Sequence, residues 1–301
     1  MEFQRTVKKA TNGNNVILTI DANVQRLVEK QIKKYNEETG AENISVLVMN
    51  PNNGEILAMA SKNTYDLNDP RNLSSMYTQE QIDGMDEKTT SEALMSMWSN
   101  FCVSSAYEPG STYKPFTVAA ALDEGVVKDS DYFNCDGGLT VSGVRIRCSN
   151  RSGHGSISLE KSLMESCNSA LMAIGQKLGR ANFSKYNEIF GFGQKTGIDL
   201  PGETAGLIHK EEELNPVELA TSSFGQTQTV TMVQMAAGFC SLVNGGDYYE
   251  PHIVKEIQNE NGAIVKKMEP VVVKKTVSDK TSSLIRQYMK ATVEDGTAAP
   301  A

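Results

Sequence analysis

The residues best placed to do chemistry are Ser111 and Lys114, in the stretch Glu108-Pro-Gly-Ser-Thr-Tyr-Lys-Pro115. A Pro-Gly turn leads into the apolar run Phe116-Thr-Val-Ala-Ala-Ala-Leu122, which reads as a buried helix. Pro115 limits where that helix begins, because in a helix interior its ring clashes with the carbonyl four residues back. The helix is therefore predicted to start at about Ser111 or Thr112. That puts Ser111 beside free backbone N–H groups and the positive end of the helix dipole. Lys114 lies one turn on, on the same face. A serine hydroxyl is a weak nucleophile until a base takes its proton. A lysine serves as that base once desolvation lowers its pKa. The spacing alone is weak evidence, since Ser158-Leu-Glu-Lys161 shares it. That second copy lacks the Pro-Gly entry and the following Pro, and reads as an ordinary helix start.

The elements that must hold these residues follow from the rest of the pattern. Val16–Ile20 reads as a strand, and Asp21 as the N-cap of an amphipathic helix carrying Val24, Leu27, Val28, Ile32 and Tyr35 to about residue 35. Residues 44–49 and 55–60 read as two strands joined by the turn Pro51-Asn-Asn-Gly54. The first is apolar on both faces, so both faces of its sheet should be covered. Residues 62–104 read as a long surface excursion, polar and irregular at first. Residues 158–179 read as one helix, 230–243 as a second buried helix and 278–293 as a last one. Stretches 249–254 and 271–273 look extended. The whole suggests an α+β fold of two interleaved lobes.

The totals bound the class. The chain has 301 residues, 39% hydrophobic and 22% charged, with a formal net charge of −8. That fits a globular protein and argues against a nucleic-acid partner. No apolar run reaches about 18 residues, so no transmembrane helix is expected, and Met1-Glu-Phe-Gln-Arg5 lacks the apolar core of a signal peptide. Cys102, Cys135, Cys148, Cys167 and Cys240 include no Cys-x-x-Cys pair, and His154, His209 and His252 are scattered, so no metal site is expected. Cys135 and Cys148 flank a glycine-containing hairpin and stand as either a disulfide or two free thiols. Cys167, beside two candidate site residues, reads as a buried spectator thiol.

Taken together, several blocks resemble the transpeptidase domain of class B, monofunctional penicillin-binding proteins. They are Leu18-Thr-Ile-Asp21, Val48-Met-Asn-Pro51 with Gly54-Glu-Ile-Leu-Ala-Met-Ala60, Asp66-Leu-Asn-Asp-Pro70, the Ser111 motif, Phe190-Gly-Phe-Gly193 with Thr196-Gly-Ile-Asp-Leu-Pro-Gly-Glu203, and Ser223-Phe-Gly-Gln226. The resemblance runs over nearly the whole chain. It implies the penicillin-binding/serine β-lactamase-like α+β fold, an antiparallel sheet flanked by helices beside an all-helical lobe. It implies a catalytic and substrate-binding set of Ser111, Lys114, Ser166 and Asn168, the last two from Ser166-Cys-Asn168. Ser166 relays a proton between Lys114 and the leaving group, and Asn168 holds Lys114 and the substrate amide. Ser61-Lys-Asn63 also fits Ser-x-Asn but only ends a strand.

The implied activity is D,D-transpeptidation of peptidoglycan stem peptides through a serine acyl-enzyme trapped by β-lactams. No cofactor or metal is implied. The implied partners are a glycosyltransferase and other cell-wall synthesis proteins, on the outer face of a bacterial cell membrane. A β-lactam sensor or β-lactamase, or a non-catalytic scaffold in a cell-wall complex, are the other readings of the same fold. The sequence departs from the family at the third motif. Lys195-Thr-Gly197 has the right letters but belongs to the structural Gly-Ile-Asp-Leu-Pro-Gly-Glu loop. The resemblance places the true Lys-Thr-Gly strand beyond Ala301, and a membrane anchor and pedestal domain upstream of residue 1. Residues 1–301 are thus expected to be an interior piece of a transpeptidase domain, and by themselves a slow one for want of a second oxyanion donor.

Overall fold

Most helix starts in this chain are written by side-chain caps in the computed structural model, which describes residues 12–299. The readings of Met1–Arg5 and of the terminal Pro300-Ala301 fall outside those residues. Strand β1 (Asn15–Leu18) leads to α1 (Ala22–Thr39), capped by the Asp21 carboxylate and closed by Gly40 in the left-handed region. The helix thus runs a turn past residue 35. Strands β2 (Ser45–Met49) and β3 (Ile56–Ser61) form the expected antiparallel hairpin. Val28 and Ile32 of α1 pack on Ala58 and Ala60, while Leu47, Met49 and Ile56 pack on Val103 and Val233, so both faces are covered.

The excursion at 62–104 is irregular at its start and helical after that. It contains α2 (Gln79–Asp83), α3 (Glu87–Trp98) and α4 (Phe101–Ser104), each with a side-chain N-cap, Thr78, Asp86 and Asn100. A small cluster of Leu73, Ala93, Leu94 and Met97 holds it, too few apolar positions for a periodic signal.

Helix α5 (Lys114–Asp123) is the hub, buried on nearly every side from Phe116 to Ala121. A helix apolar all round must be enclosed by others. Around it lie the small antiparallel pairs of β4 (Tyr132–Cys135), β5 (Gly138–Val141), β6 (Val144–Arg147) and β7 (Gly155–Ser158), then α6 (Leu159–Met164) and α7 (Asn168–Ile189). The single helix read over 158–179 is therefore two. The break at Glu165–Cys167 comes from Ser166, whose φ of 49° is left-handed and cannot continue a helix. Helix α7 bends at Gly179, where φ is 76°, and goes on to Ile189. Next come α8 (Pro216–Ser222) and α9 (Met232–Val243), the latter with a Thr231/Gln234 capping box.

Strands β8 (Asp247–Tyr249), β9 (Val254–Gln258), β10 (Ile264–Lys267) and β11 (Val272–Lys275) return to the sheet region, where β9 pairs with both β1 and β10. The last helix, α10 (Asp279–Asp295), packs against α5, α6 and α9. Among the described residues no helix is long and apolar enough to cross a membrane.

Candidate active site

Pro109 and Gly110 turn the chain into a 3-10 turn over Gly110–Tyr113, and α5 takes over at Lys114 with Pro115 in its first turn. The α-helix proper thus starts slightly later than predicted. The Pro115 ring forbids the bond it would otherwise make, and the tighter turn needs none there. Gly225 pins this turn from outside. Its φ is 85°, and a Cβ there would meet Gly110 O at 2.1 Å. Gly110 N–H donates to Gly225 O at 2.9 Å, and Thr227 N–H donates to Glu108 Oε1 at 2.9 Å. The Ser223-Phe-Gly-Gln226 block is therefore a brace for the Ser111 turn.

All four predicted residues converge. Lys114 is 1% exposed, and its Nζ donates to Ser166 O, Ser166 Oγ and Asn168 Oδ1, each at 2.7 Å. The Ser166 and Ser111 hydroxyls are 3.0 Å apart. The left-handed backbone of Ser166 turns its carbonyl and its side chain toward the lysine together, and such strain is stored where surroundings over-determine it. Ser111 and Lys114, one turn apart, are joined through the Ser166 hydroxyl. Burial pulls the Lys114 pKa down to about 8, partly offset by its electrostatic interaction with nearby Cys148 and Cys167. Desolvation disfavours the ammonium.

Ser111 opens onto a cavity of about 250 Å³ walled by Leu163, Phe239, Met289 and Val293. Thr297 and Ala298 also line it, and Thr297 N–H is held by Met164 O at 2.9 Å. Their place at the site was visible in the sequence only as the stretch after the last helix. The decoys are accounted for. Ser158 Oγ accepts from Lys161 N–H as the N-cap of α6. Ser61 Oγ accepts from Ser45 Oγ across the β2–β3 pair. Thr196 donates through N–H and Oγ1 to Glu203 Oε1, both at 2.6 Å, which makes Lys195-Thr-Gly197 part of a carboxylate-braced turn.

The structure takes one of the two readings left open for Cys135 and Cys148. Cys135 and Cys148 are not bonded; both are free thiols. Nor are the histidines all isolated. His154 meets Cys135, Cys148 and Cys167 behind the Ser166 turn, their ligand atoms all within 4.8 Å of one another. The four lie at separations of 13, 6 and 13 residues, with no Cys-x-x-Cys pair among them. Cys167 is buried within this group, and burial pushes its thiol pKa up.

Comparison with known proteins gives the family. A profile described as "Penicillin binding protein transpeptidase domain" matches residues 44–301. Stage V sporulation protein D of Bacillus subtilis is 37% identical over 95% of this chain and 42% of its own length. Peptidoglycan D,D-transpeptidase MrdA of Acinetobacter baumannii is 25% identical over 96% of this chain and 43% of its own. The crystal structure of penicillin-binding protein 3 of Mycobacterium tuberculosis with aztreonam superposes with a TM-score of 0.81 at 26% identity, covering 97% of this chain and 61% of that one. The chain therefore spans about two fifths of these curated relatives. It belongs to the penicillin-binding protein transpeptidase family, in its class B branch, and has that α+β fold.

Proposed function

We propose that this member of the transpeptidase family cross-links peptidoglycan stem peptides through an acyl-enzyme on Ser111 and that β-lactams acylate the same oxygen. The observation that carries the proposal is the chain of polar atoms Ser111 Oγ, Ser166 Oγ and buried Lys114 Nζ, at 3.0 and 2.7 Å. The relatives' names point the same way.

In the first step Ser111 gives its proton to Ser166 Oγ as the Ser166 proton passes to neutral Lys114. Ser111 Oγ then bonds the carbonyl carbon of a D-Ala-D-Ala peptide. The Ser111 N–H, at the start of the turn, donates to the oxyanion that develops. Collapse breaks the peptide bond, and the Lys114 ammonium returns its proton through Ser166 to the departing D-Ala amine. Asn168 Oδ1 holds Nζ throughout, without titrating. An amine of a neighbouring stem peptide then attacks the ester, and Ser111 is regenerated. In the same reading the work is done on the outer face of the cytoplasmic membrane, beside the glycosyltransferase that supplies the strands. Mass mapping after exposure to a labelled β-lactam should place the adduct on the peptide holding Ser111. An adduct on Ser158 would overturn the assignment.

The lysine makes the proposal pH-dependent. Its neutral form is the base, so acylation should climb as pH rises through about 8 and then level off. With that pKa only about a tenth of the sites are ready at pH 7, so the plateau should lie roughly tenfold higher. β-Lactam acylation rates from pH 6 to 9.5 measure this. A flat profile would remove Lys114 from the base role.

A further inference from the structure

We propose that the groove between the open edge of β3, the first turns of α1 and the end of α3 holds the glycan strand of peptidoglycan, with Trp98, Tyr65 and Asn63 as its main contacts. The choice of polymer rests on the transpeptidase reading; the sugar chemistry rests on the lining. Two cavities of about 350 and 380 Å³ meet at Ser61, Asn63, Met97 and Ser99. Each is large enough for a small organic ligand, and side by side they offer places for consecutive sugar units. Neither shares a lining residue with the cavity of Ser111. The groove would therefore hold the polymer rather than the reacting peptide.

The lining pairs aromatic rings with neutral polar groups. Trp98, Tyr65 and Leu67 wall one cavity beside Gln25, Asn63 and Asn100, and Ser45, Ser96 and Ser105 line the other. Ring faces carry negative potential and attract the polarised C–H groups on the face of a pyranose. Amides and hydroxyls both donate and accept, as sugar hydroxyl and acetamido groups require. The rings are held in place. Trp98 Nε1–H donates to Pro70 O at 2.7 Å while the residue stays 38% exposed, and Tyr65 packs on the cluster of Leu73, Leu94 and Met97. The polar groups are left with capacity to spare. Asn63 is exposed, and its amide has no hydrogen-bond partner among the described residues. Asn100 Nδ2 donates to the Met59 thioether at 3.1 Å, a weak acceptor that a sugar oxygen would outbid.

Other occupants fit less well. The lining holds one carboxylate, Glu29, and one ammonium, Lys62. Lys62 Nζ already donates to Ala41 O, and Glu29 Oε1 accepts from Gln25 Nε2, each at 2.9 Å. A phosphate or an acidic peptide would find no cluster of cations in this lining. An added peptide strand would need the free backbone groups of the β3 edge. Asp21 N–H donates to Leu57 O at 2.9 Å, and the Gln25 amide takes both Met59 O and Met59 N–H, at 3.0 and 2.9 Å. That edge is closed by α1, and what remains open is rings, amides and hydroxyls.

Trp98 is the single tryptophan of the chain, so its fluorescence reports on the groove directly. A peptide-free tetramer of β-1,4-linked N-acetylglucosamine, titrated to millimolar concentration, should shift and saturate that emission. Asn63→Ala keeps the reporter on an exposed site and should weaken the tetramer about tenfold, the worth of one good hydrogen bond. Trp98→Ala should abolish tetramer binding in calorimetry. Because that variant also loses its bond to Pro70, its melting curve is compared with that of Asn63→Ala. β-Lactam acylation of Ser111 should be unchanged in Asn63→Ala, since the groove lies outside the relay. Acylation of Ser111 with no response to the tetramer would overturn the groove and leave the transpeptidase reading standing. A saturable response without acylation would support the groove and count against that reading. A shift produced by free stem peptide and not by the tetramer would also overturn the proposal.

Discussion

Lys114→Arg should abolish β-lactam acylation in a protein that still folds, a loss of about 10²–10⁴-fold, the range a positioned acid–base group supplies. Charge and reach are nearly kept, so the variant isolates one property. Arginine is never neutral in a protein and has no lone pair to accept the Ser166 proton. Its planar fork also cannot reproduce three bonds from one nitrogen to Ser166 O, Ser166 Oγ and Asn168 Oδ1. Lys114→Ala would be a poorer test, since it leaves those acceptors unpaired in the interior. Stopped-flow acylation with a chromogenic β-lactam, beside a melting curve for each protein, makes the comparison. Acylation within a few-fold of the parent would sink the relay and leave Ser166 or solvent as the base.

What the sequence disclosed about this site was the part encoded locally. Pro109, Gly110 and Pro115 restrict the backbone within one turn, so the start of the Ser111 helix could be read within a few residues. The same holds for Asp21 and Thr231, whose side chains bond the next turn. The break at Ser166 had no such mark. Leu163, Met164, Leu171 and Leu178 keep a helical rhythm across it, and a left-handed serine looks like any other serine. The route from Ser111 through Ser166 to Lys114 depends on that break, which the Ser111–Lys114 spacing does not show. Helix α3 was hidden for a different reason. It buries only Ala93, Leu94 and Met97, and its remaining surface is polar. The convergence of Cys135, Cys148, His154 and Cys167 is a purely tertiary fact, because two hairpins and a helix cap must form before the four meet.

Phe116→Ala should destabilise the fold by about 3–5 kcal/mol, the usual cost of deleting a large buried aromatic. Phe116 is 1% exposed, two residues after Lys114 on α5. Its ring centroid lies 5.6 Å from that of Tyr113, 5.1 Å from Phe190, 5.0 Å from Phe192 and 4.8 Å from Phe239. Pairs at these separations add directional attraction to the area they bury. The site cannot readily collapse onto the hole. Gly238 already sits so close that a Cβ there would meet Phe116 Cε1 at 2.9 Å, and the facing rings are themselves anchored, Tyr113 through its hydroxyl bond to Asn187. The cavity term therefore adds to the transfer term. Because Phe116 shares its helix with Lys114, and Phe239 walls the cavity of Ser111, the loss should reach the chemistry as well. Urea unfolding should show the drop in midpoint at an unchanged slope, and the fraction of chains that take a β-lactam should fall with it. A change below about 1 kcal/mol would mean that the ring cluster rearranges to fill the space, and that α5 is held by something other than this packing.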